Sequence, residues 1–156
     1  YRMIKMLRVD HRLLHGQTVF SWYGYLGVNA ILIANDNAAT NEMTKASLKL
    51  GKPVGSKLVI KSIWDSIETL STGHADKYDL FVIVGNVNDA YQLASRIDQI
   101  KDINIGGLLA TDKTHPFPGD SNINLTDEDE RLLRELIKIG KNVEFRMVPS
   151  EKVKRL

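Results

Sequence analysis

Two arginines, two histidines, an aspartate and a glycine fall within the run Arg8-Val9-Asp10-His11-Arg12-Leu13-Leu14-His15-Gly16-Gln17. Arginine presents a planar fork of donors that matches phosphate oxygens, and it stays charged at any relevant pH. A neutral imidazole, with a reference pKa of ~6.5, is a competent nucleophile near neutrality. Gly16 lets a ligand come close to the backbone, and free N–H groups at the start of a following helix accept an anion. Asp10 can orient an arginine or the second nitrogen of a histidine ring. Together these residues describe a phosphate cradle with a nucleophile inside it. The same residues also suit a surface ion-pair cluster with a histidine at a helix cap. A metal site on His11 and His15 is disfavoured, because a four-residue spacing chelates well only on a helix and this run reads as a loop.

The flanking sequence says what must hold that loop. Runs rich in Val, Ile and Leu recur at Ile4–Val9, Ala30–Ala34, Leu58–Lys61, Leu80–Val84, Ile103–Ile105, Ile123–Leu125 and Val143–Val148. Several are almost continuously apolar, as in strands buried on both faces of a parallel sheet. Helical periodicity fills the gaps. Gly16 to Leu26 puts Val19, Trp22, Tyr23 and Leu26 on one face and ends at Gly27. Thr40 and Asn88 are read as helix caps, Ser62–Thr72 is a third amphipathic stretch, and Thr126-Asp127-Glu128-Asp129 opens the last helix with acidic residues at its N-terminus. The expected fold is α/β, a single domain over residues 1–156, with an open, mainly parallel sheet of about seven strands and helices on both faces. Thr111–Asn122, containing Pro116, Pro118 and Gly119, reads as the longest irregular segment.

In such sheets ligands bind beyond the carboxyl ends of the strands. The loop from Asp10 to Gln17 lies at one such end, and Asn35-Asp36-Asn37, Gly85-Asn86 and Gly106-Gly107 lie at others. Taken alone, Asn35–Asn37 and Gly106-Gly107 are ordinary turn chemistry.

Bulk properties narrow the function classes. The chain has 156 residues, 43% of them hydrophobic, and a formal charge of +2 from 21 basic and 19 acidic residues. That balance does not indicate a nucleic-acid partner, and Lys152, Lys154 and Arg155 read as a solvated tail. Cysteine is absent, which excludes disulfides, thiol catalysis and zinc–thiolate sites. No secretory signal is readable and no apolar run approaches the ~18 residues that span a bilayer, so a cytosolic protein is expected. Gly51-Lys52-Pro53-Val54-Gly55-Ser56-Lys57 resembles a phosphate loop only superficially, since its order of residues is wrong and it follows a helix. There is no dinucleotide fingerprint after the first strand and no nucleophile elbow.

The run from Arg8 to Gln17 resembles the signature of the IIB components of the mannose/fructose/sorbose-type sugar phosphotransferase system. That pattern reads roughly Arg-Ile/Val-Asp-x-Arg-Leu-Ile/Leu-His-Gly-Gln just after the first strand. The similarity extends to Ile33-Ala34-Asn35-Asp36 and Asn104-Ile105-Gly106-Gly107, and the length suits one whole IIB domain. The resemblance implies a cytoplasmic phosphohistidine carrier, peripherally associated with a membrane permease and needing no cofactor or metal. His15 would take a phosphoryl group from a histidine of a IIA protein or domain and pass it to a sugar held by the membrane components IIC and IID. This is the activity of a protein-N(pi)-phosphohistidine–sugar phosphotransferase. By the same match Arg8 and Arg12 look like phosphate-binding arginines and Asp10 like the organiser of the loop. Gly16 and Gln17 would shape the pocket, with Asn35 and Asp36 at its rim.

This chain departs from the pattern at His11, where an acidic or amide residue is usual, and at Thr18, where an aliphatic one is. His11 adds a titrating ring beside the expected phosphate. Two other functions fit the residues. One is a non-catalytic α/β module that holds a phosphorylated ligand through Arg8, Arg12 and His15. The other is a phosphatase or mutase with Asp36 as its acid.

Overall fold

In the computed structural model, which describes residues 3–156, six parallel strands form one sheet in the order β3-β2-β4-β1-β5-β8. They are β1 (Ile4–Asp10), β2 (Ala30–Ala34), β3 (Lys57–Lys61), β4 (Leu80–Val84), β5 (Asp102–Gly107) and β8 (Asn142–Phe145). The helices are α1 (Gly16–Leu26), α2 (Asp36–Thr40), α3 (Glu42–Leu50), α4 (Ile63–Ser71), α5 (Val87–Ala94) and α6 (Asp127–Lys138). Tyr1 and Arg2 lie outside the described residues.

Strand alternation sends side chains to opposite faces, and the core divides accordingly. Met6, Ile31, Ile33, Phe81 and Ile83 pack with Val19 and Trp22 of α1 and Leu48 of α3. Leu7, Val9, Leu32, Val82 and Ile105 pack on the other face with residues of α4, α5 and α6. Each large aliphatic side chain so buried contributes roughly 1.5–3 kcal/mol. The expected α/β architecture with helices on both faces is therefore present.

The count of sheet strands differs from expectation. The Ile123–Leu125 run belongs to β7 (Asp120–Leu125), which pairs antiparallel with β6 (His115–Phe117) in a separate ribbon. A parallel bridge from Leu108 to Ile123 links that ribbon to the end of β5. The segment read as irregular thus holds β6 and the start of β7. The last strand ends at Phe145, because Arg146 turns its guanidinium onto the Pro149 carbonyl and the Met147 N–H donates to Glu151. Gly106 and Gly107, read as a turn, lie within β5.

Two caps also fall elsewhere. Asn86, not Asn88, starts α5, its Oδ1 accepting from Asp89 N–H at 2.8 Å. Thr40 closes the short α2, and Asn41 caps α3 by accepting from Thr44 N–H at 3.0 Å. By contrast, α1 occupies the expected residues, and the helices expected from Ser62 and Thr126 form, with Ser62 capping α4 and Thr126 capping α6.

This topology makes the opening for a site. β1 lies between β4 and β5, yet its chain leaves to α1 on one face while that of β4 leaves to α5 on the other. The connections diverge at the carboxyl end of β1 and leave a crevice there. The fold also yields a test of its caps. Asn41→Ala should lower unfolding free energy by about 1 kcal/mol, whereas Thr40→Ala should change it by less than about 0.5 kcal/mol, both measured by urea denaturation.

Candidate functional site

β1 carries Arg8 and Asp10 on the face covered by α1, and both side chains are completely buried. Register sets their neighbours. Arg8 stands beside Asn104 of β5, which stands beside Glu144 of β8, so three polar residues line up across adjacent strands. Arg8 Nη1 donates to Asn104 Oδ1, and Asn104 Nδ2 donates to Glu144 Oε2 at 3.0 Å and to the Arg146 carbonyl at 3.2 Å. Arg146 returns its Nε–H to the same Glu144 oxygen. Trp22 roofs this row. Its ring centre lies 5.6 Å from the Arg8 guanidinium carbon and 5.1 Å from that of Arg146, and its Nε1–H donates to the Met147 carbonyl at 2.9 Å. Cation–π contacts of this kind gain strength when desolvated.

Asp10 joins the buried row to the loop. Its Oδ2 accepts from Arg8 Nη2 at 3.2 Å and from Arg12 Nη2 at 3.0 Å, while its Oδ1 accepts from Arg12 Nε at 3.1 Å and from Arg12 N–H at 3.0 Å. Burial pushes the Asp10 carboxyl up, but the bonds from Arg12 and the charges of Arg8 and Arg12 outweigh it and hold its pKa below the ordinary value. Burial draws the Arg8 pKa down against the opposing charge of Asp10. The bond to Asp10 raises that of Arg12. Arg12 also donates from Nη2 to Met147 Sδ at 3.3 Å. Its side chain is 28% exposed, and Nη1 makes no hydrogen bond among the described residues.

The loop then turns sharply. Leu13 N–H donates to the Asp10 carbonyl at 2.9 Å, and Leu13 itself has φ +60°, a left-handed conformation that costs a branched residue roughly 1–2 kcal/mol. Burial holds it there, since Leu13 and Leu14 both enter the core under α1. His15 follows as the N-cap residue of α1 with extended backbone, and Gly16 takes φ +38°, where a side chain is strained. The His15 side chain is exposed and makes no capping bond, and the first turn of α1 contains no acidic residue. The other five helices each have a side-chain oxygen on their first turn.

The residues singled out in the sequence therefore divide. Arg12, His15, Gly16 and Gln17 lie at the surface around the start of α1, with Arg12 half-buried. Arg8, expected to meet phosphate, is instead enclosed, with its guanidinium spent on Asn104, Asp10 and the Arg146 carbonyl. Asp10 is enclosed too, in the loop-organising position. His11 is exposed, donates its N–H to the Gly107 carbonyl, and lines a cleft of about 270 Å³ with Arg12, Leu108, Asn122 and Met147. Asn35 and Asp36 have capping tasks, Asn35 accepting from Ala38 N–H and Asp36 from Ile63 N–H. Asn35 still borders the loop, because its amide and Leu13 Cδ2 both lie against Gly85.

Asn104, Glu144, Arg146 and Trp22 were not recognised as parts of this arrangement. One signal was readable: polar residues at alternate positions of Val143–Val148 mark one strand face as polar. Gly106 has its own reason to be glycine. A Cβ there would lie 2.1–2.4 Å from the Arg8 guanidinium atoms.

A surface imidazole at the start of α1, three residues from an arginine anchored by a buried carboxylate, on a parallel α/β sheet, offers residue types that suit an anionic group. The family described as PTS system sorbose subfamily IIB component matches residues 4–156, and the chain belongs to that family. It is 39% identical over 114 residues to a probable phosphotransferase enzyme IIB component of Streptococcus pyogenes, covering 73% of this chain and 70% of that one. The structure of the IIBSor domain of the sorbose permease of Klebsiella pneumoniae superposes with a TM-score of 0.90 at 25% identity, covering 97% of this chain and 92% of that one. That of the N-acetylgalactosamine-specific IIB component 1 of Escherichia coli also gives 0.90, at 22% identity, covering 98% and 99%. The chain is thus a IIB component of a sugar phosphotransferase system. No helix among the described residues is long and apolar enough to cross a membrane.

Two measurements test the buried row. Gly106→Ala should displace Arg8 and lower stability by about 3 kcal/mol or more, as for a broken buried pair. Asp10→Asn should cost a similar amount at neutral pH. A depressed folded-state pKa contributes stability above the unfolded carboxyl value of ~3.9 and loses it as pH falls through the folded value. The gap between wild type and Asp10→Asn in urea denaturation should therefore be constant from about pH 5 to 8 and shrink below about pH 4.

Proposed function

We propose that His15 carries the phosphoryl group, accepting it from a IIA histidine and delivering it to a sugar held by the IIC and IID components. One observation supports this most: the His15 imidazole is exposed at the one helix start among the described residues without a side-chain cap, on the loop that holds Arg12 with Nη1 making no hydrogen bond among those residues. In the first step the P–N bond to the donor imidazole breaks as a nitrogen of His15 bonds to phosphorus. In the second, a sugar hydroxyl oxygen bonds to phosphorus, the bond to His15 breaks, and the hydroxyl proton is released.

Transfer between imidazoles requires in-line alignment and positive groups around the equatorial oxygens more than it requires acid–base chemistry. Arg12 Nη1 and the N–H groups of Gly16, Gln17 and Thr18 supply them, and the dipole of α1 adds to their field. Arg8 serves one layer down, holding Asp10 and so Arg12. Gly16 admits the phosphoryl oxygens to the backbone, and Gln17 contributes its N–H to the cradle. His11 places a second ring near Arg12, while Asn35 and Asp36 shape the neighbouring rim. An exposed site suits a carrier, because the phosphoryl group must be reached from two partners in turn. On this reading the protein works at the cytoplasmic side of a permease, as a protein-N(pi)-phosphohistidine–sugar phosphotransferase.

The test is intact mass after incubation with phosphoenolpyruvate, the general phosphotransferase proteins and a mannose-type IIA. Wild type should gain one acid-labile phosphate and His15→Ala none. Arg12→Ala should be phosphorylated more slowly, by on the order of 10²-fold, as when one preorganised donor is removed. An unmodified wild type beside phosphorylated IIA, for every IIA tried, would instead favour a module that holds a phosphorylated ligand without covalent transfer.

A further inference from the structure

The phosphoryl-transfer reading needs His15, Arg12 and the first turn of α1, yet the sheet beneath α1 also buries Arg8, Asn104, Glu144 and Arg146. Elsewhere that same face is filled by Met6, Ile31, Ile33, Phe81 and Ile83. Apolar side chains would close the core under Trp22 as well, since replacing buried ion pairs by well-packed hydrophobic residues is often neutral or stabilising. The polar row therefore calls for a role other than filling space.

The donors and acceptors of the row fix one another's orientation. The Glu144 carboxylate faces the Asn104 side chain, so the amide must turn its NH2 toward Glu144 and its oxygen toward Arg8. With the amide reversed, oxygen would face carboxylate and NH2 would face guanidinium, both repulsive. The oxygen so placed holds Arg8 Nη1, and this leaves Nη2 on Asp10. Asp10, held there, takes Nε and Nη2 of Arg12 and directs Nη1 away from the row. Glu144 lies 132 positions from Arg12 in sequence, yet three intervening side chains join them without a break.

Resting on the carrier reading above, we propose that Asn104 and Glu144 are positioning residues for phosphoryl transfer. They act through Arg8 and Asp10 to hold the Arg12 guanidinium in the orientation that receives the phosphoryl oxygens. Neither touches the reacting atoms.

The experiment is a double-mutant cycle on phosphorylation of His15 by phosphoramidate, which needs no partner protein. In that reaction the N–P bond of phosphoramidate breaks as a ring nitrogen of His15 bonds to phosphorus, and ammonia leaves. Initial rates are followed by intact mass for wild type, Glu144→Gln, Asn104→Leu and Arg12→Ala, and for the Arg12→Ala double variants, at a temperature well below every unfolding midpoint. Glu144→Gln keeps the size and one acceptor, so it carries the cycle alone if Asn104→Leu does not fold. Each variant should slow phosphorylation about tenfold in the wild-type background, the coupling usual within one hydrogen-bond network. In the Arg12→Ala background the same substitutions should change the rate by less than about twofold. Equal losses in both backgrounds would reduce the row to a merely structural role and overturn the proposal, as would no loss in either. If wild type gains no phosphate on His15 from phosphoramidate or from IIA, the carrier reading itself falls, and the positioning role with it.

Discussion

A single carboxylate shared between two guanidinium groups underlies the arrangement of this protein. Asp10 is fully enclosed and accepts from Arg8 on one side and from Arg12 on the other. Taking such charges out of water costs several kcal/mol per ion, and the interaction is retained only where geometry and further bonds satisfy every group. Here they nearly do. Asn104, Glu144 and the Arg146 carbonyl complete the shell on the buried side, and only Arg8 Nε is left without an acceptor, beneath the face of Trp22. Gly106 provides the room, since any side chain there would occupy the space of the guanidinium. One carboxylate thus links three strands of the sheet to the loop and, through Trp22, to α1.

The loop adds a second constraint of a different kind. Leu13 and Leu14 are drawn into the core, which forces a left-handed backbone at Leu13 and tightens the path into the helix. Buried apolar side chains thus hold the loop on one side of Arg12 and a buried ion pair holds it on the other. Between these anchors the backbone presents His15 outward at the start of α1, where no side chain neutralises the free N–H groups. Rigid support under an exposed imidazole lets a surface loop keep its geometry without being enclosed.

This division of labour suits the carrier role proposed for this IIB component. A group in transit must be reachable by donor and acceptor, so depth and enclosure would be obstacles. In the proposed mechanism preorganised charge does the stabilising instead, and it requires an arginine that does not search for its place. In that mechanism Arg12 meets the need, because Nε and Nη2 are committed to Asp10 while Nη1 makes no hydrogen bond among the described residues. The electrostatic cost of this order falls on the interior of the sheet, away from the surface that partners would touch.

Much of this was legible in the residues. The continuous apolar runs announced buried parallel strands, α1 was readable to its ends from periodicity and from Gly27, and the Arg/His loop was readable as a candidate anion site by residue type alone. These features are local, and local spacing encodes them. Individual caps were less legible, because Thr40 and Asn41, or Asn86 and Asn88, are chemically near-equal and only backbone geometry chooses between them. β6 and the start of β7 were hidden by Pro116, Pro118 and Gly119, although the end of β7 was readable. The partners of Arg8 were not legible at all. Asn104 and Glu144 lie 96 and 136 positions further along the chain and meet Arg8 only through the register of β1, β5 and β8. Residue type told that Arg8 and Arg12 can bind an anion, but burial decided that Arg12 faces solvent while Arg8 holds it in place. Charge and spacing belong to the sequence. Which face of a strand is covered, and by what, depends on strand order, and that is settled only when the whole sheet assembles.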